Sequence, residues 1–323
     1  MKLLCCADLQ LGAVCTEGLS SEQSRKWRTA RAEKLENLID KAAQNNAGYV
    51  AFFGRLFGQE RVPESVIDGL FNAVKADEHI QTLVFVNVEE FNRLSYRKDI
   101  PENLHLLCTQ SHDGYLDDNL AVAIRQGGIE LLPGRHEPIR IEPDSDGRYL
   151  ADGMGTKAII PAFEPVGYED AQGKSFGFGL IEWTENTSPV YREIKDQKYD
   201  YQTAEIKLLP EDGQKEILQK INRAVAKLDR DSFLRIRLFG RSAFGLTINA
   251  DALASQLQSR LFFVEVFDST VMEVDTEAFD TDISLRSEFV RLAMQDESLS
   301  EIERNRLISC GWTALGGKGA NEI

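Results

Sequence analysis

The residues able to do chemistry cluster just behind short apolar runs. Asp8 and Gln10 follow LLCCA in the segment ADLQLG, Arg55 follows VAFF in GRLFG, and Asn87, Val88 and Glu89 follow LVFV in VNVEEF. Ligands of open α/β sheets are held at the carboxyl ends of the strands, which makes these three segments the first candidates for a site. Asp8, Asn87 and Glu89, joined by His112 in the polar segment SHDGY, are the donors from which a divalent-cation site could be assembled. Arg55 opposes that use, because a guanidinium keeps its positive charge at any physiological pH.

Other chemistries are missing by spacing. Cys5, Cys6, Cys15, Cys108 and Cys310 have no metal-knuckle or CxxC spacing and are expected as buried, reduced thiols. The glycine-rich runs GRSAFG and GGKGAN lack the glycine and lysine spacing of a phosphate loop before a helix. There is no G-x-S-x-G elbow. His79, His105 and His136 lack the loop context of His112.

The elements that must position these residues follow from periodicity. Residues 2–7 read as a buried strand and residues 24–45 as a helix with Trp27, Leu35, Leu38 and Ile39 on its apolar side. The strand GYVAFFG, a helix opening at Pro63 and the strand TLVFVNV come next. Strand–helix alternation of this kind predicts a parallel sheet with helices on its faces. From about residue 104, LHLLC, NLAVAIR, GIELLPG, PIRIE, KAIIPA, FGFGLIEW and PVYREIK predict a second, largely antiparallel sheet stacked on the first. Beyond it, KEILQKINRAVAKL, SFLRIRLFG, ADALASQLQ and RLFFVEVFD make a small βαβ-type cap. Two tail helices follow, SLRSEFVRLAMQ and SEIERNRLISCGWTAL, the second opened by a Ser300–Glu303 capping box.

Bulk composition narrows the partners. Acidic residues outnumber basic ones 52 to 37, and the formal charge of −15 opposes unaided approach to nucleic acid. The basic runs Arg25, Lys26, Arg28, Arg31, Lys34 and Arg235, Arg237, Arg241 are expected as solvated faces. No apolar run is long enough for a bilayer, and Asp8 and Gln10 break the opening segment before a signal core could form. The expectation is a cytoplasmic protein without a membrane partner.

The three strand-end segments resemble the calcineurin-like metallophosphoesterase motifs Asp-x-His, Gly-Asp-x-x-Asp and Gly-Asn-His-Asp/Glu, as arranged in the SbcD/YhaO-like DNA repair exonucleases. RAEKLENLIDKAAQNNAGYVAFFG, YLADGMGTKAIIPAFEPVGYEDAQGKSFGFGLIEW, FLRIRLFGR and SLRSEFVRLAMQDESLSEIERNRLISCGWTALGG are similar to later parts of that family, so the resemblance spans nearly the whole chain. It implies an α/β (α+β) fold: a metallophosphoesterase-type two-sheet β-sandwich flanked by helices over residues 1–203, an α/β cap over 204–275 and a helical tail over 276–323. Active relatives hold two ions, such as Mn2+, about 3.5 to 4 Å apart.

By the same resemblance most metal ligands are replaced. Asp8 and Asn87 keep their family types, whereas Gln10 and Val88 stand at histidine positions and Arg55 at the bridging aspartate. Glu89 takes the acidic position of the third motif, and Met154, in GMGTK, replaces a closing histidine. The vestigial site is therefore Asp8, Gln10, Arg55, Asn87, Val88, Glu89 and Met154, with no catalytic residue and no cofactor expected. Arg55 is expected to fill the vacated metal position and to pair with Asp8, with Glu89 as a further partner; the alternative is that it points into solvent. What the resemblance implies is a pseudoenzyme that serves an SbcC/YhaN-like coiled-coil ATPase as scaffold or regulator, meets DNA only within that complex and could form a homodimer. The alternative is a divergent phosphoesterase or nuclease with a rebuilt site using Asp8, Asn87, Glu89 and His112.

Overall fold

A computed structural model describes residues 1–111, 114–125, 128–155, 157–243, 246, 248–273 and 283–315. They form a mixed α/β structure in two compact units, Met1–Tyr199 and Asp200–Ile323. Among the described residues there are three sheets and eight helices, none long and apolar enough to cross a membrane.

The first unit opens with β1 (Lys2–Ala7), α1 (Ser21–Gln44), β2 (Tyr49–Phe53), α2 (Glu64–Lys75), β3 (Gln81–Val86), α3 (Val88–Ser95) and β4 (Leu104–Cys108). The four strands pair in parallel, as successive strand–helix units require. Ser20 and Gln23 close a reciprocal capping box that starts α1. An antiparallel series follows: β5 (Gly114–Leu116), β6 (Leu120–Arg125), β7 (Gly128–Pro133), β8 (Ile139–Pro143), β9 (Tyr149–Asp152) and β10 (Ala158–Ile159). The unit ends with α4 (Tyr168–Ala171), β11 (Gly177–Thr184) and β12 (Thr187–Lys195).

Three assignments from the sequence are corrected. LHLLC, FGFGLIEW and PVYREIK do not join the second sheet. They are β4, β11 and β12 of the first, whose order is β12-β11-β1-β2-β3-β4. β4 extends the parallel edge beside β3, while β11 and β12 return antiparallel beside β1. A strand's composition records its burial but not the neighbour that accepts its hydrogen bonds.

Both faces of the first sheet are covered. Leu4, Cys6, Val50, Phe52, Val84 and Val86 pack with α1 and α2 residues such as Leu38, Ile39, Leu70 and Phe71. The alternate residues Leu3, Cys5, Ala51, Phe53, Leu83 and Phe85 pack against Leu120, Val122, Leu131, Ile139 and Ile141 of the second sheet. Cys5, Cys6, Cys15 and Cys108 are buried, whereas Cys310 is exposed, against the expectation for all five.

The second unit contains β13 (Asp200–Leu208), α5 (Gln214–Val225), β14 (Ser232–Ser242), α6 (Ala250–Gln258), β15 (Phe263–Met272), α7 (Leu285–Gln295) and α8 (Glu301–Ala314). β13 is a strand the sequence did not announce, because DYQTAEIKL is mostly polar. It pairs in parallel with β14 from Asp200 to Leu208, so the unit begins at 200 rather than within that strand at 204. β15 lies on the other side of β14, also parallel. Helices α5 and α6 cover one face through Ile217, Ile221, Val225, Leu253 and Leu257.

Candidate functional site

The ends of β1 and β2 continue as loops that zip together through their backbones. Asp8 N–H donates to Phe53 C=O (2.8 Å), Gln10 N–H to Arg55 C=O (3.1 Å), Leu11 N–H to Leu56 C=O (2.8 Å) and Gly58 N–H to Leu11 C=O (3.0 Å). Asp8 and Gln10 both adopt positive φ, 49° and 45°, an uncommon state for residues other than glycine and one found preferentially at functional sites. Gly54, at φ 76°, lies so close that an added Cβ would sit 2.5 Å from Asp8 Oδ1. Only glycine fits that position.

The carboxylate and amide acceptors of these loops are taken up by their own chain. Asp8 Oδ1 accepts the backbone N–H of Arg55 at 3.0 Å. Asn87 is the N-cap of α3, its Oδ1 accepting Glu90 N–H at 2.9 Å. Glu90, 7% exposed, turns inward, and its Oε1 accepts Leu56 N–H (3.1 Å) and Phe57 N–H (3.0 Å). Hydrogen bonds to a charged acceptor contribute about 1.5 to 3 kcal/mol each, which makes Glu90 the main clamp on the GRLFG loop. Its Oε2 is buried with no partner among the described residues.

Arg55 departs from expectation. Its backbone N–H holds Asp8, while its side chain is exposed and forms no ion pair with Asp8 or Glu89 among the described residues. Glu89 points outward, 74% exposed, and pairs with Arg93 one helical turn away at 3.3 Å. Val88 is exposed as well. His112 lies outside the described residues.

These loops border a cleft of about 420 Å3 within the first unit, lined by Asp8, Gly54, Arg55, Asn87, Thr109 and Tyr149, with Phe85, Asp146, Gly147 and Lys174 also contributing. Gln10, Val88, Glu89 and Met154 do not line it. Met154 packs instead against the core between the sheets. Tyr149 stacks on Phe53 at 6.1 Å between ring centroids. Burial raises its pKa first, and the negative charges of Asp8 and Glu90 add to the shift, so its hydroxyl stays protonated.

A buried cationic layer supports the loops from below. Arg31 of α1 donates to the carbonyls of Leu9 (2.9 Å), Gln10 (3.4 Å), Glu164 (3.0 Å) and Pro165 (3.3 Å). One turn on, Lys34 pairs with the buried carboxylate of Glu164 at 2.9 Å and donates to the carbonyls of Phe163 and Asp196. Burial lowers the Lys34 pKa, partly countered by Glu164. Arg31 and Lys34 are therefore internal struts and not part of a solvated basic face.

Sequence reasoning missed Glu90, Arg31, Lys34, Glu164 and Tyr149. The Asn87-x-x-Glu90 spacing carried a signal, since it resembles a helix-start pair. Nothing in the sequence marked Glu164 or Tyr149.

No protein-family model matches this sequence, and no curated protein matches it either. The donor set does not fit a dinuclear metal centre. Asp8 Oδ1, Asn87 Oδ1 and Glu90 Oε1 are occupied by backbone amides, and among the described residues no three His, Cys, Asp or Glu side chains come together as ligands. The cleft can admit a small polar ligand; the described residues lining it include no histidine or cysteine.

Proposed function

We propose that this chain is a non-catalytic, metallophosphoesterase-like subunit of the SbcD/YhaO type, acting as scaffold or regulator for an SbcC/YhaN-like coiled-coil ATPase in DNA repair or genome maintenance. The observation that carries the reading is the internal use of the strand-end acceptors: Asp8 holds the Arg55 amide, Asn87 caps α3 and Glu90 clamps the GRLFG loop. A site that activates water between two cations needs several ligands gathered at one place, and among the described residues no three His, Cys, Asp or Glu side chains come together. Here the strand-end acceptors stabilise the loops. The mixed α/β class, with an antiparallel sheet stacked on the first sheet and a smaller parallel sheet in the second unit, supports the reading.

The deciding experiment measures nuclease and phosphodiesterase activity of the purified protein with manganese, alongside metal content per chain. No hydrolysis that depends on Asp8 is expected. Manganese-dependent cleavage that disappears in Asp8→Ala would establish the rebuilt active enzyme instead. Affinity purification from the native host tests the partner, with a long coiled-coil ATPase as the expected companion.

A further inference from the structure

Parallel sheets are normally covered on both faces by helices. The β13-β14-β15 sheet is covered along its length on one; on the other, Phe233 and Phe263 near the strand starts are buried and only the later halves of the strands are open. Along β14, Leu234, Ile236 and Leu238 are buried under α5 and α6, while Arg237 and Phe239, which point the other way, are exposed. The same alternation leaves Glu205 and Lys207 of β13 and Phe267 and Ser269 of β15 exposed on that second face. Register places Lys207 beside Phe239 and Ser269, and Glu205 beside Arg237 and Phe267. Phe239 is 40% and Phe267 48% exposed, two aromatic rings at diagonal positions on one sheet face.

We propose that this open face docks an amphipathic helix of a partner protein, apolar toward Phe239 and Phe267 and acidic along the flank that meets Lys207 and Arg237. Width argues for a helix: three strands about 4.8 Å apart span roughly 10 Å, the diameter of one helix. Charge argues for the acidic flank. Lys207 and Arg237 are exposed and have no ion pair among the described residues, whereas Arg235 is paired with Glu265. Glu205 is exposed beside them, and Glu265 and Glu273 pair with Arg235 and Arg241, which leaves a surplus of one cation on this face among the described residues in a chain of formal charge −15. Arg235 also lies over the Phe267 ring at 5.6 Å, which fixes that ring as an anchor before any partner arrives. Exposed aromatic anchors with arginine beside them form the centre of protein interfaces. The inference does not depend on the chain being a pseudoenzyme.

The test is a displayed library of 18-residue amphipathic helices selected for binding to the full chain. Enriched sequences should carry Asp and Glu beside an apolar stripe. Their affinity should fall about tenfold or more in Phe267→Ala and in Arg237→Glu, as for interface anchors. Both positions are exposed, and a melting curve confirms that the variants fold. Enrichment of basic or uncharged helices, no enrichment over scrambled controls, or binders indifferent to both substitutions would overturn the proposal. Two parallel measurements would replace it. Tight binding of a 20-nucleotide oligothymidine that is lost in Phe267→Ala would mean a stacking platform for single strands. A concentration-dependent dimer abolished by Arg237→Glu would make a second copy of this chain the occupant.

Discussion

The chain builds one mixed sheet with four parallel strands and one wholly parallel sheet, and treats them oppositely. In the first, adjacent residues of β1 are both buried although they point to opposite sides: Cys5 lies between the sheets and Cys6 under the helices. In the second, adjacent residues of β14 divide, Leu238 buried and Phe239 exposed. A sheet closed on both faces leaves only its strand ends for function, and there the first unit has turned its acceptors inward. A sheet closed on one face keeps the other available for contact. The contrast locates the quiet region and the sociable region of one molecule by packing alone.

The strongest way to break the contrast is to unpair the charge beneath the first sheet's loops. Glu164→Ala leaves Lys34 buried without its carboxylate, which should cost about 3 to 5 kcal/mol in urea unfolding. A loss under about 1 kcal/mol would mean that the buried layer does not hold the loops. Glu90→Ala orphans the Leu56 and Phe57 amides and should cost about 2 to 4 kcal/mol, whereas Glu89→Ala should stay within about 0.5 kcal/mol. Equal losses at these neighbouring glutamates would refute the inward placement of Glu90.

Alkaline unfolding sharpens the same point. Burial holds the Cys5 thiol up at about 12 from an ordinary 9.0 and pushes Cys6 up as well. The unfolded chain therefore releases these protons first. Their stabilising contribution is complete below pH 9 and falls as pH rises toward 12, by up to about 1.4 kcal/mol per pH unit and thiol. Cys5→Ala should flatten that slope relative to the parent chain. The smallest expected effect lies on the open face, where Phe239→Ala should change stability by no more than about 0.5 kcal/mol. Leu238→Ala, one residue away, should cost about 2 to 5 kcal/mol.

Part of this organisation was legible beforehand. The apolar runs at residues 2–7, 49–53 and 81–86 identified three strands, and the intervening periodicity identified α1 and α2. The Ser300–Glu303 pattern marked the start of α8, where both reciprocal hydrogen bonds form. Of the vestigial-site residues, Asp8, Arg55 and Asn87 meet at the cleft, while Gln10, Val88, Glu89 and Met154 lie away from its wall. That difference could not be read in advance, because one residue of helix advances the side chain by about 100°, enough to exchange Glu89 for Glu90 as the inward carboxylate.

The sequence by itself determined the elements with strong apolar periodicity, among them β1 to β3, α1, α2, α5, β14, α6 and β15, and the apolar residues of these that leave water, since both follow from local pattern. Tertiary structure alone decided that β4, β11 and β12 complete the first sheet, that Arg55 serves Asp8 through its amide instead of its guanidinium, and that the later half of one face of the last sheet stays exposed. Those outcomes depend on which hydrogen-bonding edges and surfaces meet across long separations in the chain, and pairing energy of that kind is a property of the assembled backbone.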